Sequence, residues 1–482
     1  MIKKHLLLSV ALASVMGAQA EIVTYPAPEG AKLNESFGVE VRQSGDSLWT
    51  PVAVYRVYVD EVTGGRHKVV DSSMAYFDFD GTVEVRVTPR GRDIESVAVR
   101  PLSYGIDHTL DGSAICLSLD RPRKLSVEIN GDVFDNLQLF ANGMDAHAPT
   151  PRQLKKMRKD KNYVYFAPGY HRIDTLQVRS GQHVHIAGGA VVDGVIEIND
   201  ARDVSITGHG MVYPHRKMGL RVCRSRNVSI DGPFTTQCAV GESDSVRISN
   251  VKLISYYGWG DGFNVFASNN VHYNDVWART SDDCTTIYAT RKGHKGGCRN
   301  ILTENSVLWA DVAHPFMIGL HGSAKELGID APADTICDVM YRNIDVLDMK
   351  ECQIDYQGVF AIVAGDNNYV RDITFDNIRI ENFRQGKLFD IRIPFNKKYC
   401  AAPGSSISNI NFNDITYNGD RSELSLIVGY DETRRISGVH FRNLLINGEK
   451  IHDKMPGKPG WYKTSDMARI FVGEHVDDVT FE

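Results

Sequence analysis

The sequence has no excess of basic residues, since 54 Lys and Arg are set against 60 Asp and Glu and the formal net charge is −6 at pH 7. A protein that binds nucleic acid by neutralising phosphates carries a basic surface, so the composition argues against a nucleic-acid partner. Beyond its first twenty residues the chain has no apolar run long enough to cross a bilayer, which excludes a multi-span membrane protein. With 42% hydrophobic and 24% charged residues among 482, the composition is that of a globular protein.

The first twenty residues have the features of a secretory leader. Lys3 and Lys4 precede an apolar run over residues 6–15, and Ala18-Gln19-Ala20 is a small-x-small cleavage site. This pattern predicts a signal peptide over residues 1–20 and a mature protein that is periplasmic or secreted. No cysteine follows the cut, so we expect no lipid or other membrane anchor.

The cysteines show no metal-binding pattern. There is no CxxC pair and no Cys/His cluster with ligand spacing, so we expect no zinc or other metal site. An even number in an exported chain permits disulfides, whereas their low density favours small buried hydrophobic residues. The eight are Cys116, Cys223, Cys238, Cys284, Cys298, Cys337, Cys352 and Cys400.

Two segments precede the main repeat. Residues 21–145 alternate apolar and polar positions in short runs, such as Val83-Glu84-Val85-Arg86-Val87, separated by turns such as Asn130-Gly131. The pattern predicts an N-terminal antiparallel β-sandwich. Residues 146–162 contain prolines and a basic run, which predicts a linker or a short helix.

From residue 163 onwards one short frame recurs, V/I-x-I/F-x-N, at intervals of mostly 18 to 40 residues. The copies begin at Val204, Val228, Val246, Val271, Val339, Ile373, Ile410 and Val439, with a partial copy at Val479. The long interval from Val271 to Val339 should hold more than one coil. An irregular period without repeated leucines predicts a solenoid, and we interpret residues 163–482 as a right-handed parallel β-helix in an all-β protein. Repeated Asn at the bends predicts side-chain ladders between coils.

Acidic residues recur one coil apart. Asp261 stands in Trp259-Gly260-Asp261-Gly262-Phe263, and Asp282 follows 21 residues later with Asp283 next to it. One coil is about that long, so the three carboxyl groups should lie close together. Like charges at close range raise the pKa of at least one of them. A protonated acid beside ionised carboxylates is what hydrolysis of a glycosidic bond requires.

Further residues near these acids are of types that bind sugars. Aromatic rings stack on sugar faces, while cationic, imidazole and amide groups bind hydroxyl or acidic substituents. The candidate substrate-binding residues are Tyr257, Trp259, Tyr288, Lys292, His314, His321 and Asn368.

The acid-bearing stretch resembles a known group of enzymes. Residues 251–288, with Asp261-Gly262-Phe263 and Thr280-Ser281-Asp282-Asp283, are similar to the active-site region of the β-helical glycoside hydrolases. These are the polygalacturonases of family 28 and the dextranase and isopullulanase enzymes of family 49. Pro168-Gly169-Tyr170-His171 and residues 180–190 resemble their entry coils, so the resemblance covers roughly residues 160–445.

Two departures separate the chain from family 28. That family typically has Gly-His-Gly and Arg-x-Lys elements, where this chain has Gly293-His294-Lys295 and Arg392-Ile393-Pro394. A β-sandwich ahead of the helix, and residues 360–369, are closer to family 49, so we favour family 49 or an unassigned relative. The resemblance implies that Asp282 is the general acid and that Asp261 and Asp283 activate water, with inversion at a carboxyl separation of about 6.5–9.5 Å. It implies no metal ion and no organic cofactor.

The expected function is therefore that of an inverting, endo-acting glycoside hydrolase with an extracellular polysaccharide substrate, an α-glucan such as dextran. A polygalacturonase is one alternative. A polysaccharide lyase is another, although a lyase would need a Ca²⁺ site and a basic proton abstractor, and a non-catalytic carbohydrate-binding β-helix is a third. The sequence does not determine the oligomeric state.

Overall fold

A computed structural model describes residues 21–213 and 218–482. The predicted signal peptide, residues 1–20, lies outside the described residues. The described chain is all-β, with an N-terminal β-sandwich followed by a right-handed parallel β-helix, as the sequence predicts.

The sandwich pairs a six-stranded sheet with a five-stranded sheet. Alternate residues such as Val83, Val85 and Val87 are buried between the sheets, which is the period of two that an antiparallel sandwich requires. One pairing is parallel, between Asp132–Gly143 and Arg66–Phe79. The first sheet consists of Ile22–Thr24, Val54–Thr63, Arg66–Phe79, Val97–Arg100, Arg123–Ile129 and Asp132–Gly143, and the second of Phe37–Gln43, Thr50–Val52, Val83–Pro89, His108–Asp111 and Ala114–Leu119.

A short helix, Pro151–Met157, joins the two parts. Thr150 and Gln153 form a capping box at its start, which satisfies free backbone N–H groups. At seven residues it is the longest helix in the described ranges, and none there has the length and apolar character of a membrane span. The other helices are Ser323–Leu327 and Thr464–Met467, with 3₁₀ turns at Leu102–Tyr104 and Ile354–Tyr356.

Each coil of the β-helix contributes strands to three parallel stacks. The first stack is Tyr163–Phe166, His183–Ile186, Arg202–Thr207, Arg226–Asp231, Asp244–Ser249, Asn269–Asn274 and Val476–Phe481, with the first parts of the long strands Cys298–Ala310, Thr335–Met349, Tyr369–Ile380, Ser406–Tyr417 and Ile436–Ile446. The second stack is formed by Met211–Val212, Phe234–Thr235, Lys252–Ile254, Trp277–Thr280 and the second parts of those long strands.

The third stack borders the loops that carry Asp261, Asp282 and Asp283. It is formed by Leu220–Cys223, Cys238–Gly241, Phe263–Phe266, Thr285–Tyr288, Phe316–Gly319, Phe360–Val363, Phe389–Arg392, Ser425–Val428 and Ile470–Val472. Gly169–Val178 and Ala190–Asn199 each span the second and third stacks at the start of the helix. Glu449–Ile451 forms an antiparallel hairpin, and Gly386–Lys387 pairs with Ser422–Glu423 outside the stacks.

The recurring frame is in register from coil to coil. Val204 pairs with Val228, and the same column continues to Val479. The long interval from Val271 to Val339 contains one additional coil, centred on Ile301. The predicted stacking of the frame and the predicted extra coil are both confirmed. The column places an apolar residue against the helix core on every coil because the strands repeat in phase, and Val479 at its end is partly buried.

The predicted ladders form at the bends of the helix. Asn343 donates to Asn305 at 2.7 Å, and Asn443 donates to Asp414 at 2.6 Å. These residues have φ of 52–57°, the left-handed conformation that Asn and Asp tolerate best. Each bend therefore places a side-chain amide or carboxylate within reach of the next coil.

The sandwich packs on the second stack. Trp277 and Trp309 of the helix share one apolar cluster with Tyr55, Tyr76 and Phe140 of the sandwich. None of the eight cysteines, all of which lie in the described ranges, is in a disulfide, and six of them are buried.

Candidate active site

A cleft of about 430 Å³ opens over the third stack. One wall comes from the loops that lead from the second stack into the third, and the other comes from the loops that leave the third stack. The first wall includes Trp259, Asp261, Asp282, Asp283, His314, Glu351 and Tyr356, and the second includes Arg291, His321, Lys398 and Tyr399.

Strand register brings Asp261 and Asp283 together. Phe263 pairs with Thr285, an offset of 285 − 263 = 22 residues, so Asp261 is level with Asp283 on the next coil. The N–H of Gly262 donates to the carbonyl of Asp283 at 2.8 Å, which ties the two segments side by side. The sequence spacing identified the correct coils, and the register shows that Asp283 is the direct neighbour of Asp261.

His314 is level with Asp283 on the following coil, so Asp261, Asp283 and His314 form a column along the helix axis. Its Nδ1 lies 2.5 Å from Oδ1 of Asp283, and its backbone N–H donates to the same oxygen at 3.2 Å. The hydroxyl of Tyr288 donates to Oδ2 at 3.0 Å, so both oxygens of Asp283 are held. Burial alone would lower the pKa of His314, but the charge and hydrogen bond of Asp283 outweigh it and raise that pKa.

The remaining two carboxyl groups are partly open to the cleft and have raised pKa values. Burial, followed by the charge of Asp283, raises the pKa of Asp261 to about 6, against the opposing effect of Lys292 and Arg291. Burial, followed by the charges of Asp261 and Asp283, raises the pKa of Asp282 well above its usual range. Burial and like charges at close range therefore favour a proton on this pair of carboxyl groups.

The loop before Asp261 is clamped in an unusual conformation. Tyr257 and Trp259 have φ of 73° and 60°, a region that costs bulky residues of order 1–3 kcal/mol. Ser281 donates to the carbonyl of Tyr257, and Ser255 donates to that of Gly260. A Cβ at Gly260 would lie 2.0 Å from Oγ of Ser281, so only glycine fits there. The clamp leaves Trp259 85% exposed at the cleft.

Arg279 anchors the segment that precedes Asp282. Its guanidinium, fully buried, binds both oxygens of Asp311 at 2.8 and 3.1 Å. It also donates to Oδ1 of Asn136 at 2.9 Å and to the carbonyl of Val133 at 2.7 Å, both in the sandwich. The sandwich thereby supports the acid-bearing strand from behind.

The structure brings most of the predicted substrate-binding residues to the cleft. Trp259, Tyr288, His314 and His321 line it. Lys292 lies at its edge, where its ammonium is 5.5 Å from the ring centroid of Phe266 and its charge acts on Asp261.

Tyr257 and Asn368 are not among the lining residues. The ring of Tyr257 packs on Tyr256, with centroids 4.9 Å apart. Asn368 is fully buried and donates to the carbonyl of His321 at 2.7 Å. Asn368 therefore supports a cleft loop and is not placed for direct contact with a ligand, whereas Tyr257 is 40% exposed and its role in substrate binding stays a prediction.

Sequence reasoning missed the contribution of the sandwich. His67, near the tip of the hairpin Val54–Thr63 and Arg66–Phe79, lines the cleft, and its Nδ1 lies 2.6 Å from Oδ2 of the buried Asp60. The turn Gly64-Gly65 signals a hairpin in the sequence, but nothing there shows that the hairpin reaches the acids. Other cleft residues that the sequence did not single out are Met317, Leu320, Glu351, Gln353, Tyr356, Lys398 and Tyr399.

No cluster with the makings of a metal site occurs in residues 21–213 and 218–482, where no three or more His, Cys, Asp or Glu side chains are arranged to hold an ion.

Comparisons with known proteins define the fold class. No family model and no curated protein matches the sequence. Among solved structures, Dex49A from Penicillium minioluteum superposes with a TM-score of 0.60 at 14% identity, over 94% of this chain and 96% of that one. This likeness covers the sandwich and the β-helix together.

Two more distant structures are also β-helical glycoside hydrolases. A family 28 exopolygalacturonase from Yersinia enterocolitica gives a TM-score of 0.49 at 11% identity, over 83% of this chain and 96% of that one. The catalytic domain of a GH87 alpha-1,3-glucanase in complex with tetrasaccharides gives 0.34 at 10% identity, over 94% and 99%.

Proposed function

We propose that this protein is an inverting glycoside hydrolase that cleaves a neutral α-glucan such as dextran. The observation that carries the proposal is the grouping of Asp261, Asp282 and Asp283 in one cleft, where burial and mutual repulsion raise the pKa values of Asp261 and Asp282. The fold shared with Dex49A agrees with the family 49 resemblance of the acid-bearing sequence.

The proposed chemistry divides the three acids into two roles. Asp282, which keeps its proton, donates it to the leaving glycosidic oxygen. Asp261 and Asp283 lie side by side on adjacent coils and remove a proton from a water on the opposite face of the sugar. Two carboxyl groups with separated pKa values are the usual means of running acid and base catalysis in one site.

His314 and the exposed Trp259 have supporting roles in this scheme. A protonated His314, 2.5 Å from Asp283, compensates negative charge in the column of acids. The ring of Trp259 offers a face on which a sugar can stack.

A polygalacturonase is the second candidate, because cations lie at the cleft. Arg291 and Lys398 line it, and Lys292 acts on the acids from its edge. These groups could bind the carboxylates of galacturonate in place of the missing Arg-x-Lys element.

A polysaccharide panel tests the proposal. The purified protein is incubated with dextran, pullulan and polygalacturonate, and new reducing ends are scored. Release from dextran or pullulan with inverted anomeric configuration, followed by proton NMR before mutarotation, supports it. Cleavage of polygalacturonate alone selects the second candidate, and an unsaturated product that absorbs ultraviolet light identifies a lyase.

Product sizes test the endo-action expected from the sequence, since internal cleavage gives a ladder of oligosaccharides and end cleavage gives one short product. We further propose that the reaction occurs outside the cytoplasm, on the basis of the leader pattern in residues 1–20.

A further inference from the structure

The outer face of the third stack is covered on the N-terminal side of the acids. The ring of His294 stacks on Phe266 with centroids 6.0 Å apart, and its Nε2 would lie 2.4 Å from a Cβ placed on Gly241. Phe266 and Ala239, which point outwards on two successive coils, are both buried. The loop after Tyr288 thus occupies the face that a polymer would need in this direction.

On the C-terminal side the outward residues Met317, Ala361 and Asp390 are also buried, but a cavity lies over them. A second cavity of about 380 Å³ adjoins the cleft and shares His314, Met317, Leu320 and Tyr356 with it. It continues over the next two coils to Asp390 and Phe395. The second cavity therefore extends the cleft along the helix axis as far as the coil of Asp390.

An outward-facing column of the third stack leads to the last coil. Met317, Ala361, Asp390, Leu426 and Phe471 are aligned by successive strand pairings. Alternate residues of these strands are buried in the helix core, so this column points outwards. Phe471 is five coils beyond Asp283, about 24 Å at the usual strand spacing.

Exposure of apolar rings increases at the end of this column. Phe471 pairs with Leu426 of the preceding coil, and its side chain is 53% exposed. The loop that enters the same strand, residues 452–469, carries Trp461, which is 84% exposed, and Tyr462, which is 43% exposed. This loop leads from the second stack into the third, as the loop that carries Trp259 does at the cleft.

We propose that Leu426, Trp461, Tyr462 and Phe471 form a second polysaccharide-binding surface, the distal aromatic surface, which holds the substrate chain several sugar units from the acids. The proposal rests on the proposed function, which makes the occupant a polysaccharide. Aromatic rings present flat apolar faces together with polar edges, which suits the faces and hydroxyl groups of sugars. Alignment of this surface with the cleft through one strand register favours a polymer over a separate protein partner.

Affinity electrophoresis tests the distal aromatic surface. Native gels containing dextran, pullulan or polygalacturonate are run with the full chain and with the triple variant Trp461→Ala, Tyr462→Ala and Phe471→Ala. Its side chains are exposed, so the variant should fold, and thermal unfolding checks this. We expect the polymer that retards the parent protein to bind the variant about tenfold more weakly, and KM for that polymer to rise with little change in kcat.

Tyr369→Ala is the control, because Tyr369 is an aromatic residue about as exposed as Tyr462 and lies at the start of a first-stack strand. It should bind polymer as the parent does. Equal retardation of the parent and the triple variant, with cleavage intact, would overturn the distal surface alone. Weaker retardation of the variant without any cleavage by the parent would support the surface and contradict the hydrolase.

Two other results would overturn the proposal. If the parent protein self-associates in gel filtration and the triple variant does not, while polymer binding is unchanged, the patch is a contact between two copies. If the parent neither binds nor cleaves any of the three polymers, both the surface and the proposed function fail.

Discussion

Nδ1 of His314 lies 2.5 Å from Oδ1 of Asp283, and both side chains are buried. Because Asp261, Asp283 and His314 come from three successive coils in register, two carboxyl groups and one imidazole form a column along the helix axis. Asp282 stands beside this column, next to Asp283 in the chain. The charge of Asp283 raises the pKa of His314 at the end of this column, and burial with the charges of Asp261 and Asp283 raises the pKa of Asp282.

Replacement of Asp282 should abolish most of the activity. Asp282→Asn removes the proposed proton donor, and proton transfer by a positioned side chain contributes about 10²–10⁴-fold. We expect kcat to fall on that order in a reducing-end assay while the thermal unfolding temperature is unchanged. Asp46→Asn, at an exposed turn of the sandwich, is the control and should be fully active. Near-normal turnover by Asp282→Asn would show that another group is the acid.

The pH dependence of the rate should be a bell. Asp261 must be ionised to act as a base, so the rate rises with pH as this carboxyl, with its pKa raised to about 6, loses its proton. Asp282 must be protonated to act as an acid, so the rate falls at higher pH, as its raised pKa is passed. A profile of kcat/KM against pH measures both limbs. A rate that is already maximal at pH 4 would contradict these roles.

His314→Gln should shift the acidic limb of this profile. Loss of a positive charge from the column disfavours the ionised form of Asp261, to which this limb is assigned, so the limb should move to higher pH. The maximal rate should fall as well, because Asp283 loses a hydrogen-bond partner. His440 lies in the first stack, whereas the cleft lies over the third, so His440→Gln should leave the profile unchanged. An identical acidic limb in His314→Gln would show that the imidazole has no electrostatic role.

His67 should contribute to substrate binding from the sandwich. Its Nδ1 is engaged by Asp60, which leaves Nε2 for a ligand in the cleft. Loss of one hydrogen bond corresponds to a roughly two- to tenfold change, so His67→Ala should raise KM by that factor with a smaller effect on kcat. Asp60→Asn should have a similar effect, since it frees the ring to rotate. The control is His108→Ala, at an exposed strand of the sandwich, and an unchanged KM in His67→Ala would refute the contact.

The buried Arg279 should matter more for stability than any surface ion pair. Arg279→Met leaves the buried Asp311 with one fewer cation and removes two bonds to the sandwich, and breaking such a pair typically costs about 3–5 kcal/mol. Urea unfolding measures this loss, and the activity should fall with it because the acid-bearing strand loses its anchor. Arg224→Met disrupts a surface pair with Asp200 and should change the unfolding free energy little.

The repeat, and the coils that carry the acids, follow from the order of the residues alone. Burial of one residue in two, repeated in phase, makes Val204, Val246 and Val439 recognisable as equivalent positions in the sequence. The same logic places Asp261 and Asp282 on neighbouring coils, because a coil has a nearly constant length where its loops are short. These features depend on local pattern and strand pairing, and both can be predicted from the order of the residues.

The surroundings of the acids depend instead on tertiary packing. His67 is almost 200 residues from Asp261 in the chain, and Arg279 is bound to Asn136, so their placement follows from how the sandwich packs on the helix. Asn368 shows the converse, since a polar residue of a type that binds sugar is buried under His321. Loops of variable length come into contact through packing between distant coils. The periodicity of the sequence therefore does not predict which loops will be in contact.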